Sequence, residues 1–529
     1  MKKAVVFILC VAAIALVWSA GAPAQDTVLK REAKETLLVN LEEFNTAAVS
    51  PGGVVLRGPD EVMVVDIDVS PNLRHVALLV EGTGFQAVVL DSEMQETYDE
   101  MGTNSLKFSP DGERLIYSAV NDTDAGTEEW YTVVDGVPYG PYKTVFRVGF
   151  SPDSKHTTWF ACTEDKNFLV KDMVEDRNRL YTALGKIQYS PDGRRMAFAT
   201  MIGEKMCIVI DGAIGPEFDK IGYLVFSADS RRVAYMVFQG GKGFFVIDGV
   251  KSPTYDRIND LVFSPDSKHV CYGMNSEGKW WVVTDGKEEK AYDDISLKKW
   301  YSPDSERIAY WAREGKKQFM VINGVEKPVP GIAGGTTFSP DSGRIAYLVQ
   351  EKKKIQVVVD DTLYGPYRGA IQVIFSPDSS KVAFMAMVKK NKVHVVLDGA
   401  NGKTYKSVRD MIFSPDSLHL AYGAIKRKDW FVVLDGEEQT SYKEVGSIMF
   451  SPAGKHLLYM AKDHKDKVFI VVDGVEGTRY DTIFKTPTPK GQMSQHAIFD
   501  TPDSFHYLAM KGNKIYLVEE KVKDIVPGS

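Results

Sequence analysis

A four-residue phrase, Phe-Ser-Pro-Asp or a close variant, recurs along this chain and constrains its fold more than any other feature. Its serine stands at 109, 151, 190, 264, 302, 339, 376, 414 and 451, with Ser227 in Phe-Ser-Ala-Asp, Ser70 in Val-Ser-Pro-Asn and Thr501 in Asp-Thr-Pro-Asp, twelve copies in all. From Ser151 to Ser451 successive copies lie 37 to 39 residues apart. A fixed period of this length marks a stacked-repeat architecture, in which each unit is too small to hide its own apolar face.

The copy around Ser264 shows the plan of one unit. Leu261-Val262-Phe263 reads as a short first strand closed by the turn Ser264-Pro265-Asp266-Ser267, where proline pre-sets its backbone angle and the flanking side chains cap free amides. His269 to Met274 is expected as a second strand, Lys279 to Thr284 as a third and Ala291 to Ile295 as a fourth. Asp285-Gly286 joins the last two, and both residues tolerate the positive φ of a tight hairpin turn. The same dipeptide recurs at 135, 211, 248, 398, 435 and 473, with Asn323-Gly324 as its chemical equivalent. No segment sustains a helical period, so the expectation is an all-β chain of about twelve four-stranded blades stacked radially into a β-propeller.

The strand after the turn often ends in Ala-Tyr or Ala-Phe, as at Ala234-Tyr235, Ala309-Tyr310, Ala346-Tyr347, Ala383-Phe384 and Ala421-Tyr422. Together with Phe-Ser-Pro-Asp-Ser/Gly this resembles the TolB-type, WD-repeat-like propeller blade, over roughly residues 66 to 518. The resemblance implies a fold. Members of that family carry a six-bladed ring behind a separate α/β domain; this chain has twice the blades and no such domain, so the family's partners do not transfer.

One twelve-bladed ring fits better than two six-bladed rings, because the step from Ser264 to Ser302 is 38 residues, like its neighbours, with no linker-like composition. Arg57-Gly58-Pro59 mimics Tyr139-Gly140-Pro141, so Val54 to Val65 reads as an orphan fourth strand. It would complete a last blade whose other strands are Ala497 to Phe499, His506 to Met510 and Lys514 to Val518. The expected divisions are 1–24 as signal peptide, 25–53 as an N-terminal segment, 54–520 as repeats and 521–529 as a tail.

Lys2 and Lys3, the apolar run Ala4 to Val17 and Ala22-Pro23-Ala24 before Gln25 have the order of a secretory signal. Its removal would take the net charge from −7 to −9, against a nucleic-acid partner, and leave no membrane span. Periplasmic or secreted localisation follows as an expectation. Cys162, Cys207 and Cys271 have no disulfide or metal-knuckle spacing and read as buried thiols.

Two rings of repeated polar residues invite a chemical reading. His75, His156, His269, His419, His456 and His506 each stand five residues after the motif hydroxyl, but Arg114, Arg195, Arg232, Arg307, Arg344 and Lys381 occupy the same place elsewhere, which suits a structural basic position and not a metal ligand. The turn aspartates (Asp111, Asp153, Asp192, Asp229, Asp266, Asp304, Asp341, Asp378, Asp416 and Asp503) could in principle gather calcium, but local amide capping accounts for them. No nucleophile elbow, phosphate loop, zinc-protease helix or dinucleotide fingerprint occurs, so no catalytic residue and no cofactor is expected.

The loops between second and third strands differ most between copies, and variable loops on a rigid scaffold are where function sits. Early ones are acidic: Asp122, Asp124, Glu128, Glu129, then Glu164 and Asp165. Later ones are basic: Lys316 and Lys317; Lys352, Lys353 and Lys354; Lys389, Lys390 and Lys392; Lys426, Arg427 and Lys428; Lys465 and Lys467. The expected function is an exported binding scaffold whose basic arc, centred on Lys352–Lys428, docks an acidic protein or anionic envelope polymer. The alternative is a propeller enzyme, hydrolase or lyase, using the central channel or top face.

Overall fold

The computed structural model describes residues 28–44, 62–163, 166–181, 185–296, 301–487 and 495–525. The described chain forms twelve antiparallel sheets of four or five strands, and the only helical element among the described residues is a 3-10 turn at Leu41–Phe44. Blade 1 spans Met63–Tyr98, and blades 2 to 11 follow in sequence order to Glu476. In each blade the first strand runs nearest the axis. Gln372 Nε2 there donates to the Met411 carbonyl of the next blade at 2.9 Å, and the Arg409 guanidinium donates to the carbonyl of Val445. Fourth strands splay apart and are bridged by long side chains such as Lys327 and Asp361, 2.5 Å apart.

Twelve apolar clusters lie between successive blades. Burial of each sheet therefore depends on the next, as the short repeats require. The joint between blades 6 and 7 is like the others: Cys271, Val282 and Tyr292 pack on Ile295, Tyr310 and Phe319. Blade 12 meets blade 1 in the same way, with Leu508, Met510 and Ile515 against Val64, Leu78 and Val80. The chain is thus one twelve-bladed β-propeller ring, beyond the usual range of about four to eight blades.

Closure differs from the expectation in one respect. The strand that completes blade 12 is Val28–Asn40, paired antiparallel with Lys514–Ile525 from Val28↔Ile525 to Asn40↔Lys514. Val54–Val65 is not that strand: Met63–Val69 is the first strand of blade 1, paired with Val76–Gly82, while 54–61 lie outside the described residues. Val28–Asn40 alternates Leu29, Arg31, Ala33, Glu35 and Leu37 with polar partners and has no Phe-Ser-Pro-Asp phrase, because an outer strand needs none. Inside the closed blade Arg31 Nε donates to Glu520 Oε2 at 2.8 Å, and Tyr507 Oη donates to Glu520 Oε1 at 2.7 Å. The signal-like residues 1–24 also lie outside the described residues.

A second correction concerns the fourth strand of blade 6. It is Lys287–Glu288, not Ala291–Ile295, and the chain then breaks before Tyr292 returns to bridge Trp280. Tyr255, Tyr405 and Tyr480 return in the same way in blades 5, 9 and 11. Burying the ring against the next blade outweighs continuing the ladder: Tyr405 packs edge-on to Phe431 at 5.6 Å, and Tyr480 to Tyr507 at 6.0 Å. Cys162, Cys207 and Cys271 are buried and form no disulfide, and burial pushes the Cys207 and Cys271 thiols up.

The motif turn knits blades together. Ser264 Oγ donates to Asp266 Oδ1 at 2.5 Å, and the Asp266 amide donates to Ser305 Oγ of the next blade at 3.0 Å. The Ser264 hydroxyl, followed by the Lys268 amide, holds the Asp266 carboxyl at about 2; Ser376 and the Ser380 amide hold Asp378 at about 2. Asp153, Asp192, Asp229, Asp304, Asp341 and Asp416 are lowered by their motif serines likewise. A carboxyl depressed on folding contributes stability that is full above its unfolded value, about 3.9, and is lost as pH falls through the folded one. The ring should therefore keep its thermal midpoint down to about pH 4 and lose it steeply towards pH 2. Circular-dichroism melts across that range would show it; a midpoint flat to pH 2 would contradict the turn account.

Candidate functional site

On one face of the ring, where first and third strands end in turns, most of the repeated basic residues pair with a turn aspartate, whereas Arg307 has Asn323 at that place, keeps Nη2 buried without a hydrogen-bond partner and lies over Phe338 at 4.9 Å. Nδ1 of His75, His156, His269, His419 and His456 lies 2.5–2.8 Å from the aspartate opening the turn between third and fourth strands, for example His269 to Asp285. Nε of Arg114, Arg195, Arg232 and Arg344 donates to Asp135, Asp211, Asp248 and Asp360 at 2.7–2.8 Å. Each of these guanidiniums also lies over the motif phenylalanine of the next blade, as Arg232 does over Phe263 at 4.9 Å. His506 differs: its blade lacks that turn, and it pairs with Asp500 at 2.9 Å. Both polar rings are therefore latches between strands and blades. Among the described residues no group of His, Cys, Asp or Glu gathers with metal-site geometry.

The opposite face carries the hairpins between second and third strands, with the connections between blades. Lys352, Lys353 and Lys354 form the tip of blade 8, Lys389, Lys390 and Lys392 that of blade 9, and Lys426, Arg427 and Lys428 that of blade 10; all are exposed. Glu164 and Asp165 of the acidic arc lie outside the described residues, while Asp122 and Glu128 stand on the blade 2 hairpin.

The structure adds a feature that inspection of the loops alone misses. In blades 4, 5 and 6 the first residue of the third strand, and in blade 11 the residue just before it, is a lysine (Lys205, Lys242, Lys279, Lys467) bonded to an aspartate just before the next blade: Asp219, Asp256, Asp293 and Asp481. The other oxygen of that aspartate accepts from the next hairpin tip, as Asp256 Oδ2 does from the Glu277 amide at 3.0 Å. The aspartate thus neutralises one hairpin and pins the next. Around the basic arc the same place is taken by Gly331, Arg368, Lys406 and Lys443. The equivalence is in the backbone: the amides of Asp256, Asp293, Arg368 and Lys406 all donate to the end of the following second strand, at 2.8–3.0 Å. Lys354 and Lys392 thereby face Arg368 and Lys406 where other blades offer a carboxylate. No ion pair among the described residues involves Lys352, Lys353, Lys354, Lys389, Lys390, Lys392, Arg427 or Lys428; Lys426 reaches Glu438 at 3.4 Å.

A third region lies on the channel wall. First strands carry a bulge four residues before the motif serine, and Arg147, Asp260, Gln372, Asp410 and Ser447 there take positive φ. A bulge re-aims a side chain, and here it re-aims a residue whose identity varies from blade to blade within a repeated frame. In blade 12 the first strand is split into Thr482–Ile483 and Ile498–Thr501, as that of blade 2 is into Glu100–Met101 and Lys107–Phe108, and in blade 12 the step from Ser451 to Thr501 widens to 50 residues. Beside the split lies a cavity of about 340 Å³, bounded by Arg409 and Asp410 of blade 10, Glu444 and Ser447 of blade 11, and Lys485 and His496 of blade 12. Ser447 Oγ lies 2.6 Å from His496 Nδ1. Burial, reinforced by the Lys485 charge, pushes the His496 imidazole down to about 3, so it stays neutral at physiological pH. An imidazole that resists protonation, beside a lysine, is a poor base for activating Ser447. The pair is better suited to fixed hydrogen bonding.

No known protein family and no curated protein matches this sequence. Similar solved structures include a eukaryotic initiation factor at 12% identity, covering 62% of this chain and 96% of that one, with TM-score 0.35. The β-propeller domain of the Trilobed protease from Pyrococcus furiosus, described as having an open velcro topology, is similar at 12% identity over 57% of this chain and 94% of that one, TM-score 0.24. Dihydro-heme d1 dehydrogenase NirN in complex with DHE is similar at 15% identity over 63% and 72%, TM-score 0.26. At such TM-scores these likenesses carry nothing over to this chain's activity.

Proposed function

We propose that this propeller is an exported binding scaffold whose hairpin face docks an acidic protein surface or anionic envelope polymer through blades 8 to 10. The observation that carries this reading is the loss of the bridging aspartate around that arc. A solubilising rim would keep its lysines paired, as blades 4 to 6 do. Replacing the carboxylate by Arg368 and Lys406 raises the local positive potential at a cost in self-repulsion, and an anionic partner offsets that cost. The acidic hairpin of blade 2 lies across the ring, so the face is polarised and orients an approaching polyanion.

Immobilised poly-L-glutamate tests this. The purified chain should be retained at low ionic strength and released as salt rises, since exposed charges are screened within about 8–10 Å at 0.1–0.15 M. Restoring the aspartate, by Arg368→Asp with Lys406→Asp, should weaken retention. Retention that ignores both salt and this double change would remove the reading.

A further inference from the structure

A ring of near-identical blades offers near-identical clefts, so the longest insertion in the repeat, 50 residues from Ser451 to Thr501, is where a site of its own is expected. That place is the blade 12 insertion. Its base is fixed: the Thr486 amide donates to the Gln495 carbonyl at 2.8 Å, and the Gln495 amide donates to Thr486 Oγ1 at 3.0 Å. Lys485 and His496, at the two ends of this clasp, are therefore held in place at the edge of the cavity. Beside the split first strand of blade 12 the cleft opens to about 340 Å³, within the size range of small-ligand pockets of about 300–1,000 Å³.

The lining separates its charges. On the blade 12 side stand Lys485 and the neutral Ser447–His496 pair. From blades 10 and 11, Asp410 and Glu444 flank Arg409, whose ion pairs are loose: Nε lies 3.8 Å from Asp410 and Nη2 lies 3.4 Å from Glu444. Arg409 Nε is buried without a hydrogen-bond partner, and the guanidinium plane rests on Trp430 at 4.1 Å. Formal charge over the lining cancels, which disfavours a plain anion or cation and favours a ligand carrying both signs. Met449, Met460, Ile412 and Ile448 supply an apolar floor, and methionine adapts to varied shapes.

We infer that this cavity is a binding site for a small zwitterion, an α-amino acid or short peptide, with its carboxylate towards Lys485 and Ser447, its ammonium towards Asp410 and Glu444, and its side chain on the methionines. The site is separate from the basic arc and does not depend on it. His496, held neutral by burial, donates or accepts a hydrogen bond without adding charge. Asp410 sits at the bulge with φ 54°, a conformation asparagine also adopts readily, so Asp410→Asn removes the charge without disturbing the backbone. Lys485 is exposed, so Lys485→Met removes the other charge without opening the core.

Isothermal titration of the full chain with L-methionine and L-leucine is the test, with N-acetyl-L-methionine and L-methionine amide as single-charge controls. One saturable site per chain is expected at millimolar affinity or better. Each control, and each of Asp410→Asn and Lys485→Met, should bind about tenfold or more weaker, the loss of one charge-assisted contact. The triple reversal Lys353→Glu, Lys390→Glu and Arg427→Glu should leave this binding unchanged, which separates the cavity from the hairpin face. No saturable heat with either amino acid up to about 10 mM, where binding would be weaker than about −3 kcal/mol, overturns the inference. So does equal binding of the capped controls, or wild-type affinity in both single variants.

Discussion

Glu520→Ala should destabilise the ring by about 3–5 kcal/mol, the usual cost of breaking a buried ion pair. The carboxylate is 2% exposed and lies 2.6 Å from Arg31 Nη2, itself 8% exposed, across the seam that joins the first strand to the last. Its other oxygen takes the Tyr507 hydroxyl, so alanine leaves a buried cation and a buried phenol unpaired at once. Arg31 Nη1 also donates to the carbonyls of Ile470 and Val475, both at 2.8 Å, which ties the closing strand to blade 11. The double change Arg31→Met with Glu520→Leu removes both charges and should recover most of the loss, since well-packed apolar replacements of buried pairs are often neutral. Thermal melts of the two single variants and the double variant give the coupling directly. Equal midpoints for Glu520→Ala and the parent would mean that the strand at Val28–Asn40 does not close the ring. In the weakened variants an opened seam exposes a long strand edge, and aggregation on heating should rise with it.

The triple change Lys353→Glu, Lys390→Glu and Arg427→Glu is expected to slow association with poly-L-glutamate by about 10–10³-fold, the range over which electrostatic steering acts. Nine cations crowd the three hairpin tips, and these substitutions reverse one on each without touching a buried residue. All three sites are exposed turn positions, so the thermal midpoint should hold. Biolayer interferometry at two ionic strengths would separate the cases: the parent loses affinity with salt, and the variant shows little left to lose. If the variant associates as fast as the parent, the arc is a solvated rim and the docking proposal falls.

Blade number and the single ring could be read from the sequence because each copy repeats one turn chemistry. Ser-Pro-Asp fixes a turn locally, and the even spacing across Ser264 to Ser302 leaves no room for a linker. The closing strand carries no motif because it is an outer strand: Glu32 pairs with Lys523, Glu35 accepts from the Tyr480 hydroxyl of blade 11, and only the pairing with Lys514–Ile525 identifies it. Propensity misplaces the fourth strand of blade 6 at Ala291–Ile295 instead of Lys287–Glu288, because it says nothing of a tyrosine that leaves the ladder to fill a neighbour's core, although an aromatic stands nine residues before most motif serines (Tyr142, Tyr181, Phe218, Tyr255). The basic hairpins were visible as charge, but their meaning was not. The missing aspartate opposite Lys354 and Lys392 is a non-local fact, recoverable from sequence only by aligning the residue before each first strand. The cavity left one trace, the step of 50 residues before Thr501, and its lining comes from three blades that only the ring brings together.

The central claim is that twelve blades close into a single ring. Electron-microscopy class averages of the purified chain viewed down the axis measure this most directly. A single annulus with twelve radial spokes around a wide central channel is the predicted image. Two adjoining six-spoked discs, or an open arc with a gap between blades 12 and 1, would contradict it.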